Sequence, residues 1–275
     1  KKYINSLIKK YTFNHQYVHV EKEINKHGIQ KVLSFQDEPF HASNCIYQFF
    51  LHKEIKNQNY KVLITGEGGD EVLGGYNRML LYYLTELFFR KKYNRFSEII
   101  KKNKFNKNLI IKKVNKIKNN VEKNLSDFDD NTSFEFTNEQ NVYRNYYNLR
   151  WNDIKKIDNL FFKKSLINSI YSNDLQMALR MSDRNCMASS IENRTPFLDH
   201  KFAEYVFSHE TDDFFFNART KGMLRASMKN LLSEKILSRN DKTGRPGSDA
   251  HFIFNIVYKD FIEILNNSKI DDYGF

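Results

Sequence analysis

The chain has little of what several specialised protein classes need. It contains 10 Gly and 3 Pro among 275 residues, which excludes collagen-like and low-complexity architectures. Two cysteines are too few for a disulfide scaffold, so we expect Cys45 and Cys186 to be reduced thiols of a cytoplasmic protein. No apolar run approaches the roughly 18 residues of a membrane-spanning helix, and the first residues, KKYINSLIKKY, lack the hydrophobic core of a signal peptide. These absences argue against secreted disulfide-rich proteins and membrane proteins.

What the chain does have is enough apolar surface for a core and a localised excess of positive charge. Apolar residues make up 40% and aromatic residues 15% of the sequence, which argues against disorder. Residues 90–123 contain 13 Lys or Arg against two Glu, and this segment alone accounts for the net charge of +11. Apolar residues recur there with the spacing of an amphipathic helix: Ile110, Val114, Ile117 and Val121. This pattern favours a solvated helical insert over residues 90–140, and the alternative is a surface that binds nucleic acid or another polyanion.

The order of secondary-structure signals predicts an α/β fold. Two β-branched runs, 16–20 and 61–65, have the composition of buried strands, and a helical pattern over 47–57 lies between them. Strand, helix and strand in this order imply parallel pairing through a right-handed crossover. Helical patterns dominate the rest of the chain: the basic segment and residues 76–89, 142–172, 174–189 and 222–232. We therefore expect part of a doubly wound parallel sheet followed by a mainly helical half, with further strands upstream of Lys1, where the sequence does not begin with Met.

Five of the ten glycines lie in one stretch, VLITGEGGDEVLGGY, which includes the second predicted strand. A strand that runs through a glycine-rich turn into a helix can hold phosphate, because glycines let backbone N–H groups approach a ligand closely. Three acidic residues of the turn, Glu67, Asp70 and Glu71, would repel phosphate unless Mg²⁺ lies between them. A carboxylate at the end of a strand can also act as a general base. The structural alternative is a tight turn whose acidic residues complement the dipole of the following helix.

Two further clusters place charged residues in short polar motifs. In SIENRTPFLDH, Glu192, Arg194 and Asp199 surround a proline, although a surface ion pair at a helix end would explain them equally well. In RTKGMLRASMK, Lys221 and Arg225 lie four residues apart, so both cations are predicted on one face of a helix. Next to an anionic ligand they would neutralise charge that grows on a departing phosphate, and otherwise they are ordinary surface cations.

The chain resembles the C-terminal synthetase domain of the glutamine-dependent asparagine synthetases through three motifs in order: TGEGGDEVLGGY, MSDRNCMASSIENRTPFLDH and KGMLRASMKNLLSEKILSRNDKTG. The resemblance covers residues 1–275 except the basic insert. It implies an ATP-pyrophosphatase fold, which is an adenine nucleotide alpha-hydrolase-like α/β fold. It also implies that the side chain of aspartate attacks ATP to give β-aspartyl-AMP and pyrophosphate, and that ammonia released from glutamine displaces AMP to give asparagine. ATP, Mg²⁺, aspartate and ammonia are the implied ligands.

The resemblance also implies roles for individual residues. Glu67 matches the glutamate proposed to take a proton from the attacking ammonia, and Lys221 matches the lysine that stabilises charge on the phosphates. Asp70 matches the acidic residue close to Mg²⁺ and pyrophosphate. Further residues implied in binding ATP or pyrophosphate are Gly66, Gly68, Gly69 and Arg225. Supporting positions, where we expect scaffolding of the site more than chemistry, are Asp37, Asp183, Glu192, Arg194 and Asp199.

The sequence departs from the family pattern in three respects. The pyrophosphate-binding motif SGGxDS does not occur in it, and neither does the glutaminase domain with its terminal cysteine nucleophile. We therefore expect both to lie upstream in a longer chain, and residues 1–275 alone to be inactive. His41 lies near the position where relatives that accept aspartate have an arginine after Asp37, which leaves a sugar carboxylate or a peptide open as the acceptor. We expect small-molecule partners rather than nucleic acid or membrane, and a homodimer stays open.

Overall fold

A computed structural model describes residues 2–20, 26–37, 43–122, 161–171 and 173–239, together with Tyr258 and Ile262. The chain divides into two compact units. Unit 1 is formed by Lys1–Thr65, Gln176–Pro196 and Leu232–Phe275. Unit 2 is formed by Gly66–Leu175 and Phe197–Leu231. The described part is a mixed α/β structure that is mostly helical and has a small parallel sheet of two strands.

The helices and strands follow one another in this order: α1 (Lys2–Lys10), α2 (Lys26–Gln36), α3 (Asn44–Asn57), β1 (Val62–Ile64), α4 (Gly69–Leu73), α5 (Asn77–Phe89), α6 (Tyr93–Lys102), α7 (Lys107–Glu122), α8 (Phe161–Tyr171), α9 (Asn173–Met187), β2 (Glu192–Arg194), α10 (His200–Ser208), α11 (Thr211–Phe214), α12 (Gly222–Ser227) and α13 (Glu234–Leu237). Short 3₁₀ turns lie at Pro196–Leu198 and Phe216–Ala218. Within the described residues, no helix is both long and apolar enough to cross a membrane.

The sheet of unit 1 confirms one predicted strand and corrects the other. β1 lies within the predicted run 61–65, but its parallel partner is β2, with Val62 opposite Glu192. Residues 16–20 form neither strand nor helix and are mostly exposed, so the prediction of a strand there was wrong. The β-branched composition of 16–20 does not suffice without a neighbouring strand to complete the hydrogen bonds. The polar sequence of β2 pairs through backbone groups, and Thr65 N–H extends the ladder to Arg194 O at 2.9 Å.

The core of unit 1 combines apolar packing with a buried polar network. Its fully or nearly buried apolar residues come from α2, α3 and α9: Val32, Cys45, Ile46, Phe49, Phe50 and Met181. Gln36 donates to Asn185 Oδ1 at 2.8 Å, and Asn185 donates to the carbonyl of Cys45 at 2.9 Å. Both cysteines are buried thiols, and burial raises the pKa of the Cys45 thiol.

Unit 2 has a larger, aromatic core built around α5 and α8. The ring of Tyr83 stacks on Phe215 with centroids 4.4 Å apart and an interplanar angle of 5°. Phe162 meets Phe214 and Phe215 edge to face at 4.9 and 4.8 Å. Such aromatic pairs stabilise a core beyond the area that they bury. The end of α11 and the residue that follows it are therefore fixed to α5 and α8.

The helical predictions are largely confirmed where the structure describes them. The predicted helices at 76–89 and 174–189 correspond to α5 and α9, and the basic segment forms α6 and α7. Val114 of α7 is fully buried, as its apolar stripe predicts, whereas the side chain of Val121 lies outside the described residues. Of the predicted helix 142–172, residues 142–160 lie outside the described part.

The predicted helix at 222–232 is shorter than expected. It ends at Ser227, and the chain continues in turns in which Lys229 N–H bonds to Ala226 O and Leu231 N–H bonds to Met228 O. These bonds span three residues rather than the four of an α-helix. Local turn bonding therefore replaces the last part of the predicted helix.

Candidate functional site

The glycine-rich stretch folds into a tight turn around the short helix α4. Gly68 precedes α4 with φ = 80° and Gly74 follows it with φ = 70°, both in the left-handed region that favours glycine. Gly75 N–H bonds to Asp70 O at 2.8 Å, which closes the end of the helix. Glycines thus fix both ends of the segment that presents the acidic residues.

The second motif packs directly on this turn. A Cβ atom at Gly68 would lie 2.2 Å from Leu198 Cδ2, and one at Gly69 would lie 3.1 Å from Phe197 Cδ2. Phe197 and Leu198 therefore occupy space that side chains at the two glycines would need. The glycines of TGEGGDE and the apolar residues of TPFLD therefore pack against each other.

The third motif reaches the turn through an ion pair. Lys221 Nζ lies 2.9 Å from Asp70 Oδ1, and each side chain is 29% exposed. A Cβ atom at Gly75 would lie 1.7 Å from Asp70 Oδ1 and 2.5 Å from Lys221 Cε. Gly75 therefore leaves the space in which the pair forms. This brings together Lys221 and Asp70, two residues that the sequence analysis proposed for phosphate chemistry.

Lys221 does not lie in the helix that was predicted to present it. Its φ of 56° is left-handed, and α12 begins at the next residue. Only glycine fits at the next position, since a Cβ atom at Gly222 would lie 2.2 Å from Phe216 N. Arg225 lies inside α12, and its Nε donates to Thr220 O at 2.9 Å. The predicted shared helical face of Lys221 and Arg225 was therefore wrong, because the left-handed backbone of Lys221 places it outside α12.

The three acidic residues of the turn have different surroundings. Asp70 pairs with Lys221, whereas Glu71 is buried and accepts a hydrogen bond from the hydroxyl of Tyr76. Burial, and then the bond to Glu71, raise the pKa of Tyr76 far above its ordinary value, so the phenol keeps its proton. Glu67 is also largely buried. Glu71 thus stabilises the turn, while Asp70 has a cationic partner beside it.

The predicted supporting residues are distributed between the two units. Asp199 caps α10 in unit 2 by accepting from Phe202 N–H at 3.0 Å. In unit 1, Arg194 Nε lies 2.7 Å from Glu192 Oε1 on an exposed surface. The hydrogen bond between them lowers the pKa of Glu192 and raises that of Arg194.

The other two supporting residues also belong to unit 1. Arg184 donates to Asp37 Oδ2, and Asp183 is exposed on α9. Unit 2 accordingly contains Gly66, Glu67, Gly68, Gly69, Asp70, Asp199, Lys221 and Arg225, and unit 1 contains Asp37, Asp183, Glu192 and Arg194.

Sequence reasoning missed several residues that shape these surroundings. Gly75 and Gly222 leave space that any side chain would fill, and Tyr76 binds Glu71. The signals were present, because Gly75 and Tyr76 belong to LGGY and Gly222 follows Lys221 directly. Arg184 beside Asp37 had no sequence signal, since the two residues are far apart in the chain.

The acidic turn is compatible with a magnesium ion that is shared with phosphate. Among the residues that the structure describes, no group of three or more His, Cys, Asp or Glu could hold a metal on its own. Mg²⁺ commonly takes one or two carboxylates and completes its coordination with phosphate oxygens and water. Asp70, whose Oδ1 lies 2.9 Å from Lys221 Nζ, is a carboxylate of the type that such an ion takes. Within the described residues, the donor set therefore suits an ion that shares phosphate oxygens rather than one held by protein ligands alone.

Comparison with known proteins gives consistent matches over most of the chain. It is 27% identical over 261 residues to asparagine synthetase (glutamine-hydrolyzing) 1 of Bacillus subtilis (strain 168), covering 89% of this chain and 40% of that protein. It is 26% identical over 258 residues to asparagine synthetase (glutamine-hydrolyzing) 2 of the same organism, covering 89% of this chain and 30% of that protein. The chain thus spans two fifths or less of the length of these relatives.

No solved structure matches the chain. The family described as asparagine synthase matches it over residues 1–275. Since this match covers the whole sequence, the chain belongs to the asparagine synthase family.

Proposed function

We propose that the protein forms asparagine in an ATP-dependent reaction, with the synthesis chemistry at the Asp70–Lys221 pair. Membership of the asparagine synthase family supports this proposal. So does the contact of Lys221 Nζ with Asp70 Oδ1 at 2.9 Å, in which Asp70 belongs to the glycine-rich turn. This contact is the main observation in its favour, because it joins two residues that the family resemblance assigns to the phosphates.

In the proposed reaction, a carboxylate oxygen of aspartate attacks the α-phosphorus of ATP and pyrophosphate leaves. Lys221 binds the phosphate oxygens and neutralises the charge that grows on them, an effect that is large where water is excluded. Ammonia then attacks the acyl carbon and AMP leaves. Glu67 takes the proton that the attacking nitrogen loses. Each residue thereby acts on charge that develops in one of the two steps.

Mg²⁺ has a defined place in this proposal. Asp70 would hold it together with phosphate oxygens, and the bound ion supplies charge neutralisation and orientation of the polyphosphate. Before ATP binds, Asp70 would also hold Lys221 close to the position that the phosphates later occupy. The resulting preorganisation lowers the cost of ordering these side chains during the reaction.

The acceptor and the architecture of the whole protein are part of the same proposal. Arg184 contacts Asp37, so unit 1 supplies an arginine beside the predicted acceptor position, which supports an acceptor with a carboxylate group, such as aspartate or a sugar carboxylate. His41 lies outside the described residues. We propose that ammonia comes from glutamine in an upstream glutaminase domain. We further propose that β1 and β2 belong to a doubly wound sheet of the ATP-pyrophosphatase type.

The test uses the full-length natural polypeptide that contains this chain, supplied with ATP, Mg²⁺, aspartate and ammonium. Lys221→Ala should lower the rate of pyrophosphate release by at least about 10²-fold, the usual loss when one preorganised charge donor is removed. Lys102→Ala is the matched control, because Lys102 Nζ also forms a 2.9 Å ion pair, with Glu98 Oε1. Its rate should stay unchanged. Equal rates for the two variants would refute the proposed role of Lys221.

A second variant separates the two steps in the same assay. Glu67→Gln should still release pyrophosphate but form asparagine much more slowly, because the attacking nitrogen loses its proton acceptor. Glu204→Gln, on the exposed side of α10, is the control. Normal asparagine formation by Glu67→Gln would refute the assignment of Glu67 as the general base. It would not contradict the proposed adenylation step.

A further inference from the structure

The loop that presents Lys221 has an unusual backbone. Three of its non-glycine residues have left-handed φ values: Asn217 at 55°, Ala218 at 59° and Lys221 at 56°. Alanine and lysine rarely adopt this conformation, and such residues persist where the surrounding structure holds them in place. Residues 215–221, which we call the Lys221 loop, therefore need contacts from outside their own sequence.

Two such contacts come from the basic segment, through α6 and the residue that follows it. Arg95 Nη2 donates to Phe215 O at 3.0 Å. Asn103 Nδ2 donates to Ala218 O at 2.8 Å. The two bonds hold the carbonyls at the first and fourth positions of the Lys221 loop. The donors are partly buried, so these bonds are less exposed to water than a surface contact.

The segment that provides these donors is firmly packed. Phe96, Ile99 and Ile100 of α6 are buried in the core of unit 2. Arg95 Nη1 also contacts Glu98 Oε2 at 2.8 Å, which orients the guanidinium. Asn103 Nδ2 also donates to Ile99 O at 2.9 Å, so its amide is anchored to the helix as well. This part of the basic segment is integrated into the core rather than appended to it.

We propose that Arg95 and Asn103 are positioning residues for Lys221. They hold the carbonyls of Phe215 and Ala218, fix the left-handed backbone of the Lys221 loop, and so deliver Lys221 Nζ to Asp70. The effect of this positioning on the reaction rate rests on the proposed function, in which Lys221 stabilises the charge of the phosphates. The placement of Lys221 can be tested without ATP or turnover.

The test measures the rate at which acetic anhydride acetylates individual lysines of the same full-length polypeptide, followed by peptide mass spectrometry. Acetylation needs a free amine, so the pair with Asp70 slows the reaction at Lys221. Asn103→Ala should raise the Lys221 rate about fivefold, the effect of losing one ordinary hydrogen bond. Lys163, which donates to Phe207 O at 3.0 Å in the same unit, should react at an unchanged rate and provides the internal reference.

Asn106→Ala is the matched control variant. Asn106 Oδ1 accepts from Leu109 N–H at 3.1 Å, so the variant loses a similar bond near α6 without touching the Lys221 loop. Its Lys221 rate should equal that of the wild type. An unchanged Lys221 rate in Asn103→Ala would overturn the proposal. A parallel rise at Lys221 and Lys163 would also overturn it, because it would show general loosening of unit 2.

A second variant keeps the test decisive if Asn103→Ala does not fold. Arg95→Lys retains the positive charge, but a single ammonium group cannot reproduce the two-sided contact with Glu98 and Phe215 O. It should raise the ratio of Lys221 to Lys163 acetylation in the same direction. If labelling behaves as expected while Lys221→Ala keeps full activity, the proposed function fails alone. If Lys221→Ala is inactive but labelling is unchanged, the positioning role fails alone.

Discussion

The two units hold their charged residues in different ways. In unit 2, Asp70 and Lys221 are each 29% exposed and lie against Gly75, whose missing side chain leaves them room. In unit 1, Glu192 and Arg194 pair with side chains 58% and 61% exposed. The small sheet of unit 1 is exposed as well, with Ile64 71% exposed, although parallel strands are usually covered on both faces. An ion pair between near neighbours on the surface needs no special fold, whereas the Asp70–Lys221 pair forms only where the fold brings together two distant segments of unit 2.

The largest effect is expected from a substitution at Gly75, which would disrupt the Asp70–Lys221 pair of unit 2. Gly75→Ala places a methyl group where Asp70 Oδ1 and Lys221 Cε now lie, so the two side chains must move apart. We expect the rate of pyrophosphate release by the full-length protein to fall about 10²-fold, as small misplacements of catalytic groups commonly cost. The fold should persist, because both clashing atoms lie near the ends of flexible side chains, and a circular dichroism spectrum checks this.

A double variant controls this experiment. If Gly75→Ala acts by separating the pair, then adding it to Lys221→Ala should cost little more than Lys221→Ala alone, since coupled changes are not additive. Full additivity would show that Gly75→Ala damages the site by another route. Wild-type activity in Gly75→Ala would contradict the importance of the pair.

A smaller effect is expected at the cap of α10. Asp199→Ala removes the acceptor of Phe202 N–H, and loss of such a cap typically costs about 1 kcal/mol of unfolding free energy. Urea unfolding measures this change. Glu192→Gln breaks the exposed pair of unit 1 and should leave the urea midpoint unchanged. Equal changes in the unfolding free energy for the two substitutions would contradict the expected difference between the cap of α10 and the exposed ion pair.

The smallest expected effect is a difference in pH dependence. Burial raises the pKa of Glu86 in unit 2 above its ordinary 4.5, so the folded state favours the neutral acid. This contribution to stability is present below pH 4.5 and is lost as the pH rises through the folded pKa. Glu86→Gln should therefore flatten the fall of unfolding free energy above pH 4.5, a slope of at most about 1.4 kcal/mol per pH unit for one proton.

Glu192 should behave in the opposite sense. Arg194 lowers its pKa, so the stabilisation is present above the ordinary value and is lost as the pH falls. Glu192→Gln should consequently alter the slope of the unfolding free energy with pH only below pH 4.5, and by a small amount, because the pair is exposed. The unfolding free energy measured by urea from pH 3 to pH 8 distinguishes the two, and a common profile would contradict the assigned causes.

Local signals predicted the local structure well. The β-branched run at 61–65 became β1, and the helical patterns gave α5 and α9, because burial of one face follows directly from spacing. β2 was missed because a polar strand is recognisable only by its partner. Residues 16–20 were wrongly predicted as a strand, because their composition is typical of a strand but they do not pair with the sheet.

The candidate site shows the same limit at longer range. Composition and family resemblance selected Asp70 and Lys221, but not their contact, which depends on the path of the chain through α11 and the Lys221 loop. The roles of Gly75 and Gly222 could be recognised only from the atoms that a side chain would meet. Sequence indicates which residues have suitable chemistry, and packing decides which of them meet.

The contact of Phe197 and Leu198 with the glycine-rich turn has an evolutionary consequence. A larger residue at Gly69 would need a smaller one at position 197, where the nearest ring atom would lie 3.1 Å from the added Cβ. Gly68 is further restricted by its left-handed φ of 80°, so shortening Leu198 alone would not admit a side chain there. A suppressor screen starting from Gly69→Ala should therefore recover changes at Phe197, whereas Gly68→Ala should resist rescue at Leu198.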